Sequence, residues 1–353
     1  MKQLVHKLYV REELAKEELV YLLEHMDAET RRELYRLARL RREQAYGDKV
    51  YMRGLIEFSS YCRQNCLYCG LRAGNRHAER YRLSPEEILE CCREGYGLGF
   101  RTFVLQSGED PWYTADLLAA LIGDIKAEFP DAAITLSIGE REAETYRLLY
   151  DAGADRFLMR HETASRGLYQ ALHPSMSFDH RRRCLETLQS IGYQVGAGFI
   201  VGLPGQTRED LAEDFIYLKT LNPDMIGIGP FIPHDRTPLN EAKAGSLEDT
   251  LVMVALARLF LPEALIPATT ALGTLNPEGR EMALKVGANV VMPNLSPVAV
   301  RKKYALYNNK ICTGDESAQC RHCLELRIRA AGFSVDMGRG DSLKATAKRH
   351  HAQ

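Results

Sequence analysis

From residue 49 onward, short apolar runs rich in branched residues alternate with amphipathic stretches whose apolar positions recur every three or four residues. Strands are expected at 50–59, 102–106, 133–138, 156–161, 194–201, 225–230, 265–270 and 289–293. Helices are expected between them at 84–97, 115–129, 141–151, 179–191, 207–221, 247–261 and 277–286. Two of these open on capping boxes, one led by Ser84-Pro85-Glu86-Glu87 and one by Thr207-Arg208-Glu209-Asp210. Eight strands alternating with helices suit an α/β fold closed as a parallel (β/α)8 barrel of the TIM type, with an open doubly wound sheet as the alternative. Residues 1–48 are dense in Leu, Glu and Arg, with Leu14, Leu19, Leu22 and Leu23 set among charges, so two short amphipathic helices should precede the barrel. The division expected is an N-terminal helical extension at 1–48, a barrel at 49–295 and a C-terminal extension at 296–353. The tail of that extension, from Gly338, reads as small, basic and mobile.

Composition narrows the function. A net charge of -1 over 353 residues, with no long basic run before the tail, argues against a polyanion-binding surface, so nucleic acid is not expected as a partner. No secretory signal is visible, and the longest uncharged stretch, 187–207, is broken by glycines and a proline, so no membrane association is expected. Nine cysteines in a chain read as cytoplasmic point to metal ligands and buried thiols rather than disulfides, and to oxygen sensitivity. Cys91, Cys92 and Cys184 fall on the apolar faces of their helices and are expected in the core.

Cys62, Cys66 and Cys69 are another matter, spaced C-x3-C-x2-C in the loop that follows the first strand. Three soft thiolates suit an iron-sulfur cluster with one iron left open, whereas structural zinc takes four protein ligands and the nearest further donor is His77. The other unusual residues also sit at carboxyl ends of strands, where a barrel builds its active site. After the second strand comes the polar turn Ser107-Gly108-Glu109-Asp110. On the fourth, alternation places Arg156, Leu158, Arg160 and Glu162 on one face, the arginines either pairing with Glu162 or receiving an anionic substrate. Thr135 and Ser137 share a face of the third strand, and Thr269 and Thr270 end the seventh. Beyond the barrel, Cys312, Cys320 and Cys323 form C-x7-C-x2-C with His322 between the last two, which suits a second iron-sulfur site or zinc.

A C-x3-C-x2-C loop with an aromatic residue, Tyr68, before its last cysteine resembles the radical S-adenosylmethionine (radical SAM) enzymes. Within them, C-R-Q-N-C-L-Y-C-G-L-R, Y-R-L-S-P-E-E-I, V-L-Q-S-G-E-D-P, R-H-E-T-A, G-L-P-G-Q-T, I-G-I-G-P-F-I-P-H, I-P-A-T-T-A and A-N-V-V-M-P-N are similar to the HydE-type maturases of FeFe hydrogenase, over residues 45–330. The resemblance implies a 4Fe-4S cluster on Cys62, Cys66 and Cys69 whose open iron is chelated by S-adenosyl-L-methionine, and an auxiliary 2Fe-2S or 4Fe-4S cluster on Cys312, Cys320 and Cys323. It places Ser107, Gly108 and Glu109 near the methionine amino group, Glu162 and Arg181 at the amino-acid or ribose end, and Tyr68 and Pro230 beside the adenosine. The implied substrate is a small cysteine-bound organometallic iron complex, for which Thr135, Arg156, Arg160, Thr269, Thr270 and Met292 are the candidate holders, with Tyr304 and Tyr307 capping the cavity mouth. Other hydrogenase maturases and an electron donor are the implied partners. Alternatives are a related radical SAM enzyme acting on an amino acid, in the manner of methylornithine synthase or biotin synthase, or a non-catalytic carrier of a cluster or precursor.

Overall fold

The computed structural model describes residues 1–314 and 317–350. In chain order its strands are β1 (Lys49–Met52), β2 (Gly54–Ser59), β3 (Thr102–Ser107), β4 (Ala133–Ser137), β5 (Arg156–Leu158), β6 (Gln194–Ala197), β7 (Ile200–Val201), β8 (Met225–Ile226), β9 (Gly229–Pro230), β10 (Val290–Val291) and β11 (Ser334–Asp336). One parallel sheet runs β2-β3-β4-β5-β6-β8, and β10 and β11 flank β1 in another. Single parallel bridges complete a ring: Met225 to Leu265, Pro267 to Val290, and Asn294 back to Leu55. The last strand therefore returns to the first, and the expected barrel closes without an open edge.

Several expected strands are shorter than their apolar runs, for local reasons. The run at 194–201 is cut at Gly198, which has φ +143° and lies so close to the neighbouring strand that a Cβ would meet the Gly227 carbonyl oxygen at 2.0 Å. The run at 265–270 keeps only bridges at Leu265 and Pro267, because Pro has no N–H for a ladder and Thr269 turns the chain into the helix Thr270–Leu275. Helix starts agree well where a cap is written in the sequence: Ser84 accepts from the Glu87 N–H and Thr207 from the Asp210 N–H. The N-terminal extension holds three helices rather than two, Lys2–Arg11, Lys16–Glu24 and Ala28–Tyr46. The third is capped by Asp27 and lays Leu34, Leu37 and Ala38 on the barrel helix Leu247–Phe260. Cys91, Cys92 and Cys184 are buried in the core as expected.

The largest departure is at the amino-terminal mouth of the barrel. The tail expected to be mobile from Gly338 instead enters that mouth after β11 and plugs it. Arg156, on the first position of β5, is 3% exposed; its guanidinium binds the Asp341 carboxylate, the Arg339 carbonyl at 2.7 Å and the Thr102 hydroxyl at 3.1 Å. Arg53 binds the Gly340 carbonyl at 2.9 Å, and Ser342 donates to Asp224. The assignment of Arg156 to the substrate is thereby corrected: four residues of extended chain, about 13 Å, separate it from Arg160, and its donors are taken up by the plug. Thr135 pairs with Arg156 in the ladder and belongs to the same lower half of the lumen. Residues 351–353 of the expected tail lie outside the described residues.

Candidate functional site

The cysteine loop leaves β2 at the carboxyl end of the barrel and is held by buried polar groups. Arg80 donates to the carbonyls of Ser60, Leu71 at 2.9 Å and Arg72 at 2.8 Å, so a single guanidinium fork gathers both ends of the loop. Asp110, wholly buried, takes a bidentate pair from Arg82 and a 2.6 Å hydrogen bond from Ser59. Gly108 passes so near the loop that a Cβ would sit 2.3 Å from the Tyr61 carbonyl oxygen, and the Ser107 hydroxyl donates to its carbonyl at 2.7 Å. Glu109 departs from its expected role. Its Oε2 accepts from Gln64 at 2.6 Å and Arg63 at 3.1 Å, bracing the loop, and its Oε1 accepts from the Glu140 N–H at 2.9 Å, so both oxygens are engaged by the protein.

A segment that carries no motif holds the loop from the other side. The short helix Arg166–Leu172 delivers Leu172 to Met176 against residues 64–68. The Leu67 N–H donates to the Leu172 carbonyl at 2.9 Å, Ser175 links the Asn65 N–H and the Gln64 side chain, and Met176 Sδ lies 3.7 Å from Cys66 Sγ. His173 completes the clamp. Its Nδ1 is 2.8 Å from the Tyr169 carbonyl and so carries the proton, which leaves Nε2 to accept from the Tyr68 hydroxyl at 2.8 Å. Burial pushes His173 down to about 4, so the ring is neutral and this tautomer persists at physiological pH. His173→Phe is expected to orphan the buried Tyr68 hydroxyl and lower stability by about 1–3 kcal/mol in urea titrations, while His173→Gln, which keeps an acceptor, recovers most of the loss. Equal losses in the two variants would refute this role.

Burial raises all three loop thiols: Cys62 is raised, with the Glu109 charge adding to it, while neighbouring thiolates help push Cys69 up to about 12 and Cys66 well above its ordinary value. Such thiols ionise when a metal neutralises them, so the donor set fits a metal cluster. Among the described residues no three His, Cys, Asp or Glu side chains close on a single-ion site. A four-iron cube needs no such convergence, since each cysteine binds a different iron.

Facing the loop, the upper lumen holds Arg160, Glu162 and Thr269. Glu162 adopts φ +67°, strained for a non-glycine residue, between bonds to the Gly198 carbonyl and the Ile200 N–H. Its Oε2 is buried and ion-paired with Arg160 at 3.3 Å without a hydrogen bond of good geometry, and the buried Thr269 hydroxyl has no hydrogen-bond partner. A loosely paired carboxylate and arginine beside an unbonded hydroxyl make a cradle for a polar ligand. Arg181 lies beneath, paired with Glu140 at 2.7 Å and donating to the Arg160 carbonyl at 3.1 Å. Burial opposes its charge, but Tyr169, Glu140, Glu109 and Glu162 together hold it firmly protonated. Tyr68 packs with Leu172, Ile200 and Phe231, next to Pro230 on β9. Thr270 begins a helix beside Thr269, and Met292 packs lower, with Leu158 and Met225. Tyr304 is wholly buried behind the loop, and Tyr307 lies within the electrostatic reach of Arg160.

The second cysteine group is built differently from the first. Cys312 has φ +65°, while Cys320 and Cys323 occupy successive turns of the helix Ser317–Ala330. Cys320 is buried against Cys312, the two thiols in hydrogen-bond contact, and Arg280 reaches Cys312 Sγ at 3.7 Å; Cys323 is exposed.

Residues 56–218 match the radical SAM superfamily. The chain is 48% identical over 322 residues to the FeFe hydrogenase maturase subunit HydE of Thermotoga maritima, covering 91% of this chain and 92% of that protein. It is 32% identical over 281 residues to the 3-methylornithine synthase of Methanosarcina acetivorans, covering 79% of each. Among solved structures, methylornithine synthase (PylB) superposes with a TM-score of 0.81 at 27% identity, over 94% of this chain and 97% of that one. The FeFe hydrogenase maturase HydG shares the fold, with a TM-score of 0.80 at 20% identity over 95% of this chain and 75% of that one.

Proposed function

Because the chain belongs to the radical SAM superfamily and, within it, to the family of the HydE maturases, we propose that it cleaves S-adenosylmethionine reductively and acts on a cysteine-bound organometallic iron precursor during assembly of the FeFe hydrogenase active-site cluster. Cys62, Cys66 and Cys69 would hold a 4Fe-4S cluster, and S-adenosylmethionine would occupy the upper lumen. Together, when bound, these groups supply a one-electron cleavage that yields a 5'-deoxyadenosyl radical. The observation that carries this proposal is the Glu162–Arg160 ion pair beside the buried, unbonded Thr269 hydroxyl, with Glu162 in electrostatic reach of the Cys66 and Cys69 thiols.

The chain's own groups then have distinct tasks. Glu162 accepts hydrogen bonds from ribose hydroxyls or an ammonium group, and its fixed backbone spares it reorganisation when the ligand arrives. Arg160 offers a cationic fork to a carboxylate, which suits the cysteine end of the precursor. Tyr68, oriented by His173, lines the adenosine side with Pro230, and Arg181 supports the floor through the Arg160 carbonyl. The plug around Asp341 fills the lumen below, which opposes the entry of water from that side. Thr270 completes the substrate wall, Ser107 and Gly108 border the methionine end, and Tyr307 stands at the mouth, whereas Tyr304, buried behind the loop, and Met292, packed lower in the barrel, are set apart from the ligand.

Anaerobic protein with reconstituted iron, S-adenosylmethionine and dithionite is expected to form 5'-deoxyadenosine, and with the other maturases to support hydrogenase activation. No product, or stoichiometric cluster transfer without cleavage, would favour a passive carrier. Cys312, Cys320 and Cys323 would hold an auxiliary cluster. Cys320→Ser is expected to lower iron content after reconstitution while 5'-deoxyadenosine formation stays within about twofold, since that site lies outside the cysteine loop. Abolished cleavage would refute the separation of the two sites.

A further inference from the structure

Behind the cysteine loop lies a groove for which the proposed reaction has no use. Its floor is the backbone of Gly70 and Leu71, the two residues that follow Cys69, and its walls carry His77, Arg236, Lys302 and Lys303. The packing there is close: a Cβ on Gly70 would lie 2.1 Å from the Ala305 carbonyl oxygen and 2.4 Å from His234 Cδ2, two residues that line the same groove. The charge of this face departs from that of the whole. The chain carries a net charge of -1, yet the groove is lined by Arg236, Lys302 and Lys303 against the single acid Glu79. Glu79 lies 3.6 Å from Lys303, and Asp235 is bonded by Asn308. Among the described residues, Arg236 and Lys302 form no ion pair, and both are exposed.

Reductive cleavage needs an electron from outside. The amino-terminal mouth of the barrel is plugged, and the upper lumen is given over to the ligand, so the outer face of the loop is the shortest way in. Exposed cations steer an approaching partner without clamping it, and electron-transfer encounters are compact, below roughly 1,200 Å² of buried surface. We propose that this groove is the docking surface for an acidic one-electron carrier protein, which passes its electron across the Cys69-Gly70 backbone. In that step the carrier is oxidised by one electron and the cluster is reduced by one, with no bond made or broken. The inference rests on the radical reading above.

The test compares two reductants on the reconstituted enzyme. Reduced flavodoxin, an acidic flavoprotein, and reduced methyl viologen, a small cation, are each mixed with it by stopped flow while bleaching of the cluster absorbance is followed. The double variant Arg236→Glu/Lys302→Glu is expected to slow reduction by flavodoxin at least roughly tenfold at low salt, with the gap narrowing as salt rises. Reduction by methyl viologen should be undiminished, and binding of dye-labelled flavodoxin should weaken in parallel. Arg36→Glu, on the N-terminal helix, should change neither. Unchanged flavodoxin rates and affinity in the double variant would overturn the proposal, as would equal slowing with methyl viologen or by Arg36→Glu. A wild-type enzyme that methyl viologen cannot reduce would instead count against the radical reading, and the binding measurement would still decide the groove.

Discussion

Cys66→Ser is expected to reduce 5'-deoxyadenosine formation by at least about three orders of magnitude, equivalent to more than 4 kcal/mol of barrier. Cys66 is the loop thiol that burial raises well above its ordinary value, with the neighbouring Cys69 and Cys62 thiolates adding to the effect, so its charge depends on metal. A serine hydroxyl is a harder and far weaker acid, and it cannot replace that ligand. Iron bound after reconstitution should fall with activity, while the urea midpoint of the metal-free protein stays put, because the polar brackets around Arg80 and Asp110 do not involve the sulfur. Cys184→Ser is the control. That thiol is buried in the barrel wall, so the substitution should cost stability and leave iron loading intact. Retained cleavage in Cys66→Ser, or iron loss in both variants, would sink the assignment of the loop.

The barrel and the loop were legible in the sequence for different reasons. Regular periods of apolar residues, punctuated by capping boxes at Ser84 and Thr207, specify elements from local chemistry alone. The cysteine spacing announces soft-metal ligation within eight residues, Cys62 to Cys69. What was hidden depends on partners distant in the chain. Leu172 to Met176 has no period and no metal-binding residue type in a recognisable spacing, yet it holds the loop through backbone bonds, a hydroxyl and one histidine. Glu109 sits in a turn that could equally face a ligand, and only the fold shows its carboxylate directed at Gln64 and Arg63. Glu162 was found as a charge on a strand, but its φ of +67° and its loose ion pair with Arg160 appear only in three dimensions. A single signal could have exposed the plug: Arg339-Gly340-Asp341-Ser342 is a compact polar turn with an acid, in a chain that sets Arg53 just before β2 and Arg156 at the start of β5, both lining the lower lumen.

Arg156 and Arg160, equivalent by strand alternation, are expected to separate on mutation, and Asp341→Ala shows why. Arg156, Arg53 and Arg339 crowd around one carboxylate, and burial lowers both Arg156 and Arg53 from their ordinary values. Removing Asp341 leaves that positive charge buried without its partner, a loss of about 3–5 kcal/mol in urea titrations. Changing both partners, Arg156→Met with Asp341→Leu, removes the charge along with the carboxylate and should recover most of that stability. Arg160 lies in the upper lumen, part-exposed, with a 3.3 Å contact to Glu162 that makes no formal hydrogen bond. Arg160→Ala should therefore cost less than about 1 kcal/mol of stability and reduce turnover of the precursor at least roughly tenfold, since a charge-assisted fork contributes about 1.5–3 kcal/mol. The plug thus governs whether the barrel stays shut below, and Arg160 governs what it holds above. An Asp341→Ala protein as stable as wild type but without turnover would reverse the assignment, returning Arg156 to the substrate and leaving the plug a bystander.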